Sequence, residues 1–558
     1  MRRGRARPGR AAYQRAGGSF ALFMHTTLAI RRAPRYVVGL FFGFLLVLGG
    51  LLFADYGISW DEPIDRLNGL VSLNYAAHIF APDWGARQPL LQHVPALGSH
   101  PDNDHGVVFE LPLALFDVLR PGHDPRTYYL VRHAATYLVS LVGGWALFRL
   151  GTWRFRDERL GLATAALLVL SPRFFAESFY NGKDLVFVAF FTLGIYTLVR
   201  LLERPSWQRA AVHGLVTAAA TDVRVLGLLL LPFTYTLLVL QATGQAPARP
   251  RGPLVRAGLA YLPALAAGML AGWPYLWEHP HRHLAEVFVS LGHFKWPGVV
   301  LYMGQLIKAT DLPWHYPLVW ISITTPLAYQ LAGLVGLGLV AARLLRQPGA
   351  QLRTAAGRFD FLVVGWLLVP VALVIGLQSV LYDGWRHLYF IYPALLLLAV
   401  EGARAVARLG RRGATWHRVA LALGGLAGAE LVLTAGRMVA MHPYQQTYFS
   451  YLPSRVVERS FERDYWALSY RQGLEYLVAR QPTGPIYLAA SHLPPLENNK
   501  VWLTPADRAR LVLAPRAPGR YFITAYRSLG VPYADSVGHE VFTIRADGVK
   551  ILSIFQRP

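Results

Sequence analysis

Long apolar runs separated by short polar segments dominate the pattern of this chain. The first run, residues 36–54, reads YVVGLFFGFLLVLGGLLFA and is long enough to cross a bilayer as a helix. Runs of similar character follow it, and together they predict about eleven membrane-spanning helices. The predicted spans are 36–54, 127–150, 159–172, 184–202, 207–221, 225–242, 255–275, 318–345, 359–378, 387–408 and 416–440. The run at 159–172 and the two runs that flank Asp222–Arg224 are short for a full crossing.

The polar segments between the runs alternate in charge, which indicates the topology. An arginine-rich tail precedes the first run, and arginines recur in the segments 154–159, 200–209, 246–256, 343–358 and 404–418. Positive residues favour the cytoplasmic side of a membrane. We therefore expect the N-terminus inside and five segments outside. The outer segments are 55–126, 173–183, 222–224, 276–317 and 379–386.

The residues after 441 have a different pattern. The segment 461–481 predicts an amphipathic helix, while IYLAA and YFITAYR predict short strands. EVFTIR and VKILSIF flank Asp547-Gly548 and predict a hairpin. Because the number of spans is odd, this part should lie outside. The domain prediction is a basic cytoplasmic tail at 1–35, a transmembrane domain at 36–440 with its first outer loop at 55–126, and an extracytoplasmic α/β domain at 441–558.

Composition supports a polytopic α-helical membrane protein. Of the 558 residues, 54% are hydrophobic and 16% are charged, whereas soluble domains carry about 25% charged residues. The net charge of +23 does not indicate a nucleic-acid partner, because the arginines fall between apolar runs rather than on one face. The chain has no cysteine, which excludes disulfides and cysteine-ligated metals.

Candidate chemistry gathers in the outer segments. Ionisable groups at helix ends are costly unless they are paired or solvated, so such a cluster on one side suggests a site. The residues fit a reaction in which a hydroxyl group displaces a phosphate. The hydroxyl needs a carboxylate that takes its proton. Asp61 and its neighbour Glu62, just past the first run, are the candidates. A phosphate leaving group needs cationic donors. The candidate donors are Lys183, Arg224, Arg386 and His387.

Several motifs resemble the GT-C membrane glycosyltransferases of family 39, which include dolichyl-phosphate-mannose–protein mannosyltransferases and bacterial aminoarabinose transferases. The motifs are SWDEP at 59–63, SPRFFAESFYNGKDLVFVAFF at 171–191, YDGWRHLYFIYP at 382–393, HPYQQTYFS at 442–450 and DYWALSYRQGLEYL at 464–477. The resemblance implies a GT-C fold and places the catalytic carboxylate at Asp61. Where family members carry a basic or His-Pro-Pro element, this chain reads NDHGVVFELP, so His105 and Glu110 are the candidate equivalents.

The resemblance implies transfer of a sugar from a polyprenyl-phosphate donor to a protein, lipid or glycan acceptor outside a bacterial plasma membrane. Asp184, His105, Glu110, Tyr382 and Asp383 are the predicted supporting residues. The sequence predicts no metal ligands, although it leaves a divalent cation open. An alternative function is transport of a lipid-linked sugar across the membrane. Structural alternatives also stay open: Asp184 could cap a helix, and Arg386 and His387 could anchor lipid headgroups.

Overall fold

The computed structural model describes residues 30–120, 122, 124–244, 251–293, 296–513, 521–533 and 535–557. Most of the predicted basic tail, residues 1–29, lies outside the described residues. Eight of the described helical segments are long and apolar enough to cross a membrane. They are Pro125–Phe155, Asp184–Glu203, Val225–Gly244, Gly252–Gly272, Leu327–Arg346, Ala355–Gly376, Arg386–Arg412 and Ala414–Ala440.

Each of the eleven predicted spans coincides with a helix. Besides the eight, Arg35–Leu52 is a shorter apolar helix, Trp207–Val223 spans 17 residues, and Glu158–Val169 continues into Pro172–Tyr180 as a bent pair. The fold class predicted from the sequence, a polytopic helical membrane protein with a small C-terminal α/β domain, is confirmed. The remaining helices are Glu62–Phe80, Pro82–Ala86, Glu110–Leu119, Pro280–His293, Tyr316–Thr324, Pro348–Arg353, Ser454–Ser460, Tyr470–Arg480, Leu493–Asn499 and Pro505–Arg510.

Two of the predicted spans are broken by proline. Ser171 is extended (φ −94°, ψ 106°) because Pro172 disfavours a helical residue before it, and the chain turns by 72° there. All nine residues of Pro172–Tyr180 are buried, which carries the following NGKD segment into the protein. The predicted span 318–345 breaks in the same way at Pro326.

The second break exposes backbone donors that the last transmembrane helix satisfies. The backbone N–H groups of Leu327 and Ala328 each donate to the carboxylate of Glu430, at 2.6 Å. The first N–H groups of a helix have no partner within the helix, so an acceptor at this position stabilises the helix start. The charge of Glu430 within the last span is thereby explained by a structural role.

A five-stranded sheet forms the core of the C-terminal part. Its strands are β3 Ile486–Ala490, β4 Leu511–Leu513, β5 Tyr521–Ala525, β6 His539–Ala546 and β7 Val549–Gln556. Their spatial order is β4-β3-β5-β7-β6. β3 is parallel to β4 and β5, whereas β7 is antiparallel to β5 and β6. The predicted hairpin is confirmed, and its turn residues Asp547 and Gly548 have φ of 52° and 77°. β1 Val299–Tyr302 and β2 Gln305–Lys308 form a separate hairpin in the fourth outer segment.

The helix predicted at 461–481 is wrong in its first part, because the helix begins only at Tyr470. Residues 461–469 are buried and irregular, and the guanidinium of Arg463 donates to the backbone oxygens of Lys550 and Leu529. Asp464 accepts a hydrogen bond from the backbone N–H of Ser469 at 2.9 Å and from the side chain of Gln446 at 3.0 Å. These tertiary partners override the helical pattern.

Polar contacts among the described residues link predicted outer segments to one another and predicted inner segments to one another. The predicted outer segments contact one another and the C-terminal sheet region, as Arg471 shows by donating to the backbone oxygens of Ala54 and Tyr56. The predicted inner segments contribute Arg154, which donates to both oxygens of Asp360 at 2.6 and 2.8 Å. The relative grouping of the segments therefore agrees with the alternation that charge predicts.

The absolute orientation is testable with reporter fusions. A reporter fused after Arg358 should be active as a cytoplasmic protein, and one fused after Tyr451 should be active as an extracytoplasmic protein, because arginine-rich segments stay inside. Alkaline phosphatase and a fluorescent protein provide opposite readouts at each position. Two cytoplasmic readings would contradict an extracytoplasmic site.

Candidate active site

Asp61 lies at the start of the helix Glu62–Phe80, in the first outer segment. Its Oδ2 accepts a hydrogen bond from Nη1 of Arg386 at 2.9 Å. The Asp61 side chain is 30% exposed, whereas the Arg386 side chain is 2% exposed. Within the described part of the chain, Oδ1 of Asp61 accepts no hydrogen bond. A carboxylate that is fixed through one oxygen and open at the other can accept a proton from a bound molecule.

Arg386 joins three aspartates that come from three outer segments. Besides Asp61, its Nη1 lies 3.2 Å from Oδ2 of Asp184, and its Nη2 lies 3.3 Å from Oδ2 of Asp383. The guanidinium is also stacked between the rings of Tyr382 and Trp466, at 4.9 and 4.8 Å from their centroids. The planar fork and the aromatic sandwich together fix Arg386 in one orientation.

The NGKD segment directs Asp184 toward this cluster. Asn181 holds it from both sides, because its Oδ1 accepts from the backbone N–H of Asp184 at 2.8 Å and its Nδ2 donates to Oδ2 at 3.1 Å. Arg224 forms an ion pair with the other oxygen of Asp184. The Asp184 side chain is 1% exposed, and its carboxylate contacts Asn181, Arg386 and Arg224. Asp184 therefore organises two arginines.

Glu62 faces a second cluster, although it is next to Asp61 in sequence. It is fully buried, and it accepts from the backbone N–H of Ser59 at 2.7 Å and bonds to Nε2 of His133 at 2.9 Å. Arg132 lies 3.7 Å from the same carboxylate. The structure thus separates the two carboxylates that the sequence assigned jointly to catalysis, and Glu62 makes no contact with Arg386.

Arg132 is the centre of the second cluster. It binds Glu110 through both guanidinium termini and Asp65 at 2.9 Å. Burial, together with the nearby charge of Glu110, raises the pKa of Asp65 to about 8, and the charge of Arg132 opposes this shift only in part. Glu110, a predicted supporting residue, therefore serves to hold Arg132.

A polar cavity opens beside the second cluster. It is lined by Asp65, Asn68, His105, Gly106, Val107, Phe109, Glu110, Gly182, Lys183 and Val223. Lys183 is half-buried and forms no ion pair with any described residue. Nδ1 of His105 lies 2.6 Å from Oδ1 of Asp104. Burial and, as a smaller effect, the charge of Lys183 lower the pKa of His105. Lys183 thus offers its charge to the cavity.

His387 occupies a less prominent position than the sequence predicted. It is half-buried, its ring contacts that of Tyr382 edge-on at 4.7 Å, and its Nδ1 has no hydrogen-bond partner among the described residues. Of the four predicted cations, Arg386 and Arg224 join through Asp184, Lys183 lines the cavity, and His387 contacts the ring of Tyr382.

Several residues of the site were not predicted from the sequence. Arg132 and His133 carried a usable signal, since ionisable residues inside a predicted span are rarely unpaired. Trp466 lies within the motif at 464–477, but nothing in the sequence placed it beside Arg386, and Arg527 lies outside every motif. Among the described residues, no three His, Asp or Glu side chains are grouped so that they could hold a metal ion.

A family model described as dolichyl-phosphate-mannose-protein mannosyltransferase matches residues 130–271. Two solved structures of ArnT from Cupriavidus metallidurans are similar to this chain. The one bound to undecaprenyl phosphate is 12% identical with a TM-score of 0.49, covering 94% of this chain and 98% of ArnT. The apo structure is 11% identical with a TM-score of 0.45, covering 93% and 97%.

No curated protein matches the chain. The segment matched by the family model contains Arg132, the NGKD motif with Lys183 and Asp184, and Arg224. The resemblance to the GT-C membrane glycosyltransferases that the sequence indicates is confirmed by this family model.

Proposed function

We propose that this protein is an integral-membrane glycosyltransferase, which moves a sugar from a polyprenyl-phosphate donor to a hydroxyl group of an acceptor on the outer face of a bacterial plasma membrane. One observation carries the proposal: Asp61 is partly exposed, open at Oδ1, and fixed by a buried arginine at Oδ2. The family description, which names a lipid-phosphate-linked sugar, supports the donor class.

The reaction requires a group that accepts the hydroxyl proton and a leaving group that takes the bonding electrons. The acceptor hydroxyl oxygen forms a bond to the anomeric carbon while the bond from that carbon to the phosphate oxygen breaks. Asp61 takes the hydroxyl proton at Oδ1, and polyprenyl phosphate leaves with the bonding electrons. Attack from the face opposite the phosphate inverts the anomeric centre. Arg386 keeps Asp61 oriented before the attack through its hydrogen bond to Oδ2.

Lys183 is the best placed of the four predicted cations to bind the donor phosphate. Arg386 is shared by three carboxylates and Arg224 is paired with Asp184, so much of their charge is already neutralised. Lys183 lines the cavity without an ion-pair partner among the described residues. A phosphate beside Lys183 would supply the anionic partner that Lys183 lacks among the described residues.

Glu62 has an anchoring role in this proposal. Its carboxylate joins the backbone of Ser59 to His133 in the second transmembrane helix, and so fixes the segment that carries Asp61. Full burial leaves it no path to an acceptor. The supporting role of Asp184 is to hold Arg386 and Arg224 at one point.

The first test replaces the proposed base. Asp61→Asn keeps the shape of the side chain but removes the proton acceptor, so transfer should fall by roughly 10²–10⁴-fold. The purified protein in liposomes would be supplied with a panel of polyprenyl-phosphate sugars and envelope acceptors, and released polyprenyl phosphate would be measured by mass spectrometry. Asp83→Asn, an exposed carboxylate of the same outer loop, is the matched control and should retain activity.

A result that would overturn the proposal is movement of lipid-linked sugar across the liposome membrane without any transfer. That outcome would favour the transporter function. Transfer at the normal rate by Asp61→Asn would instead move the base to another carboxylate.

The second test concerns the donor phosphate. Lys183→Ala should raise the KM for the donor by about 10- to 100-fold, because a hydrogen bond to a charged group contributes roughly 1.5–3 kcal/mol. Lys183→Arg should keep most of the affinity, since it keeps the charge. Lys308→Ala removes an exposed lysine of the outer hairpin and serves as the control. Equal KM values for all three variants would exclude Lys183 from phosphate binding.

The third test separates Arg386 from a headgroup anchor. Arg386→Lys should lose most of the transfer activity, because a single ammonium cannot reach both Asp61 through one nitrogen and Asp383 through another. A residue that only anchored lipid headgroups would tolerate the change. Transfer rates at saturating donor, with thermal unfolding measured in parallel, distinguish the two roles.

A further inference from the structure

Arg527 brings the C-terminal sheet into direct contact with the candidate site. It follows β5, and its side chain is 13% exposed. Its Nη2 donates to Oδ1 of Asp383 at 2.5 Å. The guanidinium lies over the rings of Trp60 and Trp296, at 5.4 and 5.6 Å from their centroids. Because Trp60 directly precedes Asp61, Arg527 reaches the immediate surroundings of the proposed base.

Asp383 lies between two arginines. Its backbone is left-handed, with φ of 56°, and Gly384 follows with φ of 73°. Aspartate tolerates this conformation better than most residues. One carboxylate oxygen is bound by Arg527, while the other lies 3.3 Å from Nη2 of Arg386. Burial raises the pKa of Asp383, and the charges of Arg527 and Arg386 oppose that shift.

The charges of the cluster balance only if Arg527 is counted. Three aspartates, Asp61, Asp184 and Asp383, face Arg386. Arg224 neutralises Asp184, and Arg527 neutralises Asp383. Glu462 is also buried, and burial together with the charge of Asp383 raises its pKa well above its usual range. The charge of Arg386 is then left for Asp61.

We propose that Arg527 is a positioning residue: by satisfying Asp383, it keeps Arg386 bonded to Asp61. This inference rests on the proposed function for its consequence in catalysis. Without Arg527, Asp383 has one cation left, and a buried carboxylate strongly prefers a paired cation. Arg386 would then turn toward Asp383, and Asp61 would lose its orientation.

The kinetic test uses Arg527→Gln in the full-length protein. Its kcat should fall about 100-fold, the scale of an ångström-size misplacement of a catalytic group, while the KM for the donor stays unchanged. Arg527→Lys should retain most of the rate, since it still neutralises Asp383. Arg545→Gln removes an exposed ion pair of the same domain, with Glu458, and is the matched control that should leave kcat unchanged.

A double variant separates positioning from simple destabilisation. In Asp383→Asn combined with Arg527→Gln, the neutral amide no longer competes for Arg386, so part of the lost kcat should return. Removing both charges together also avoids leaving one buried and unpaired, which keeps the double variant folded if Arg527→Gln alone does not accumulate. No recovery in the double variant would contradict the inference.

A cryo-electron microscopy structure of the variant in nanodiscs provides a readout without any activity assay. The distance from Arg386 Nη1 to Asp61 Oδ2 reports the positioning and is measured in Arg527→Gln. If that variant does not accumulate, the double variant is compared with Asp383→Asn instead. It should exceed ion-pair range, about 4 Å, in Arg527→Gln and stay near that of the parent in the double variant. An unchanged distance in Arg527→Gln would overturn the inference, whereas absence of transfer by the unmodified protein would overturn the proposed function alone.

Discussion

A buried arginine that must be neutralised is the constraint on which the rest of the site depends. Arg386 is 2% exposed, so its charge is removed from water and needs fixed partners. Those partners, Asp61, Asp184 and Asp383, come from three outer segments, and satisfying one cation therefore brings three distant parts of the chain to one point. Losing a single partner of such a buried pair costs about 3–5 kcal/mol.

The same requirement explains why Asp61 and Glu62 differ so strongly. Glu62 is fully buried, and Ser59, His133 and Arg132 surround its carboxylate. Asp61 shares Arg386 with two other carboxylates and keeps one oxygen open. The two adjacent acids therefore have different roles. Glu62 fixes the start of the helix to the bundle, whereas Asp61 remains available for chemistry. The difference arises because the helix Pro125–Phe155 places Arg132 and His133 beside Glu62.

The C-terminal part is bound to the membrane part by polar and aromatic contacts rather than by a tether alone. Trp466 covers Arg386, and Arg527 bonds to Asp383 between two tryptophan rings. Aromatic rings over a guanidinium contribute about 0.5–2 kcal/mol each, and more when water is excluded. A domain that supplies such groups belongs to the geometry of the site.

The sequence by itself determined the membrane class, the helices and the fixed points of the site. Apolar runs of bilayer length can exist only as helices in lipid, so every predicted span coincided with one. The motifs around Asp61, Asp184 and Arg386 were predicted, as were the strands of the C-terminal hairpin. Only the tertiary structure decided that Glu62 is enclosed, that Lys183 lines a cavity without an ion pair among the described residues, and that Arg527 completes the cluster. Local patterns record burial and helix length, whereas the partner of a charge is set by which segments meet in space, and these segments lie hundreds of residues apart.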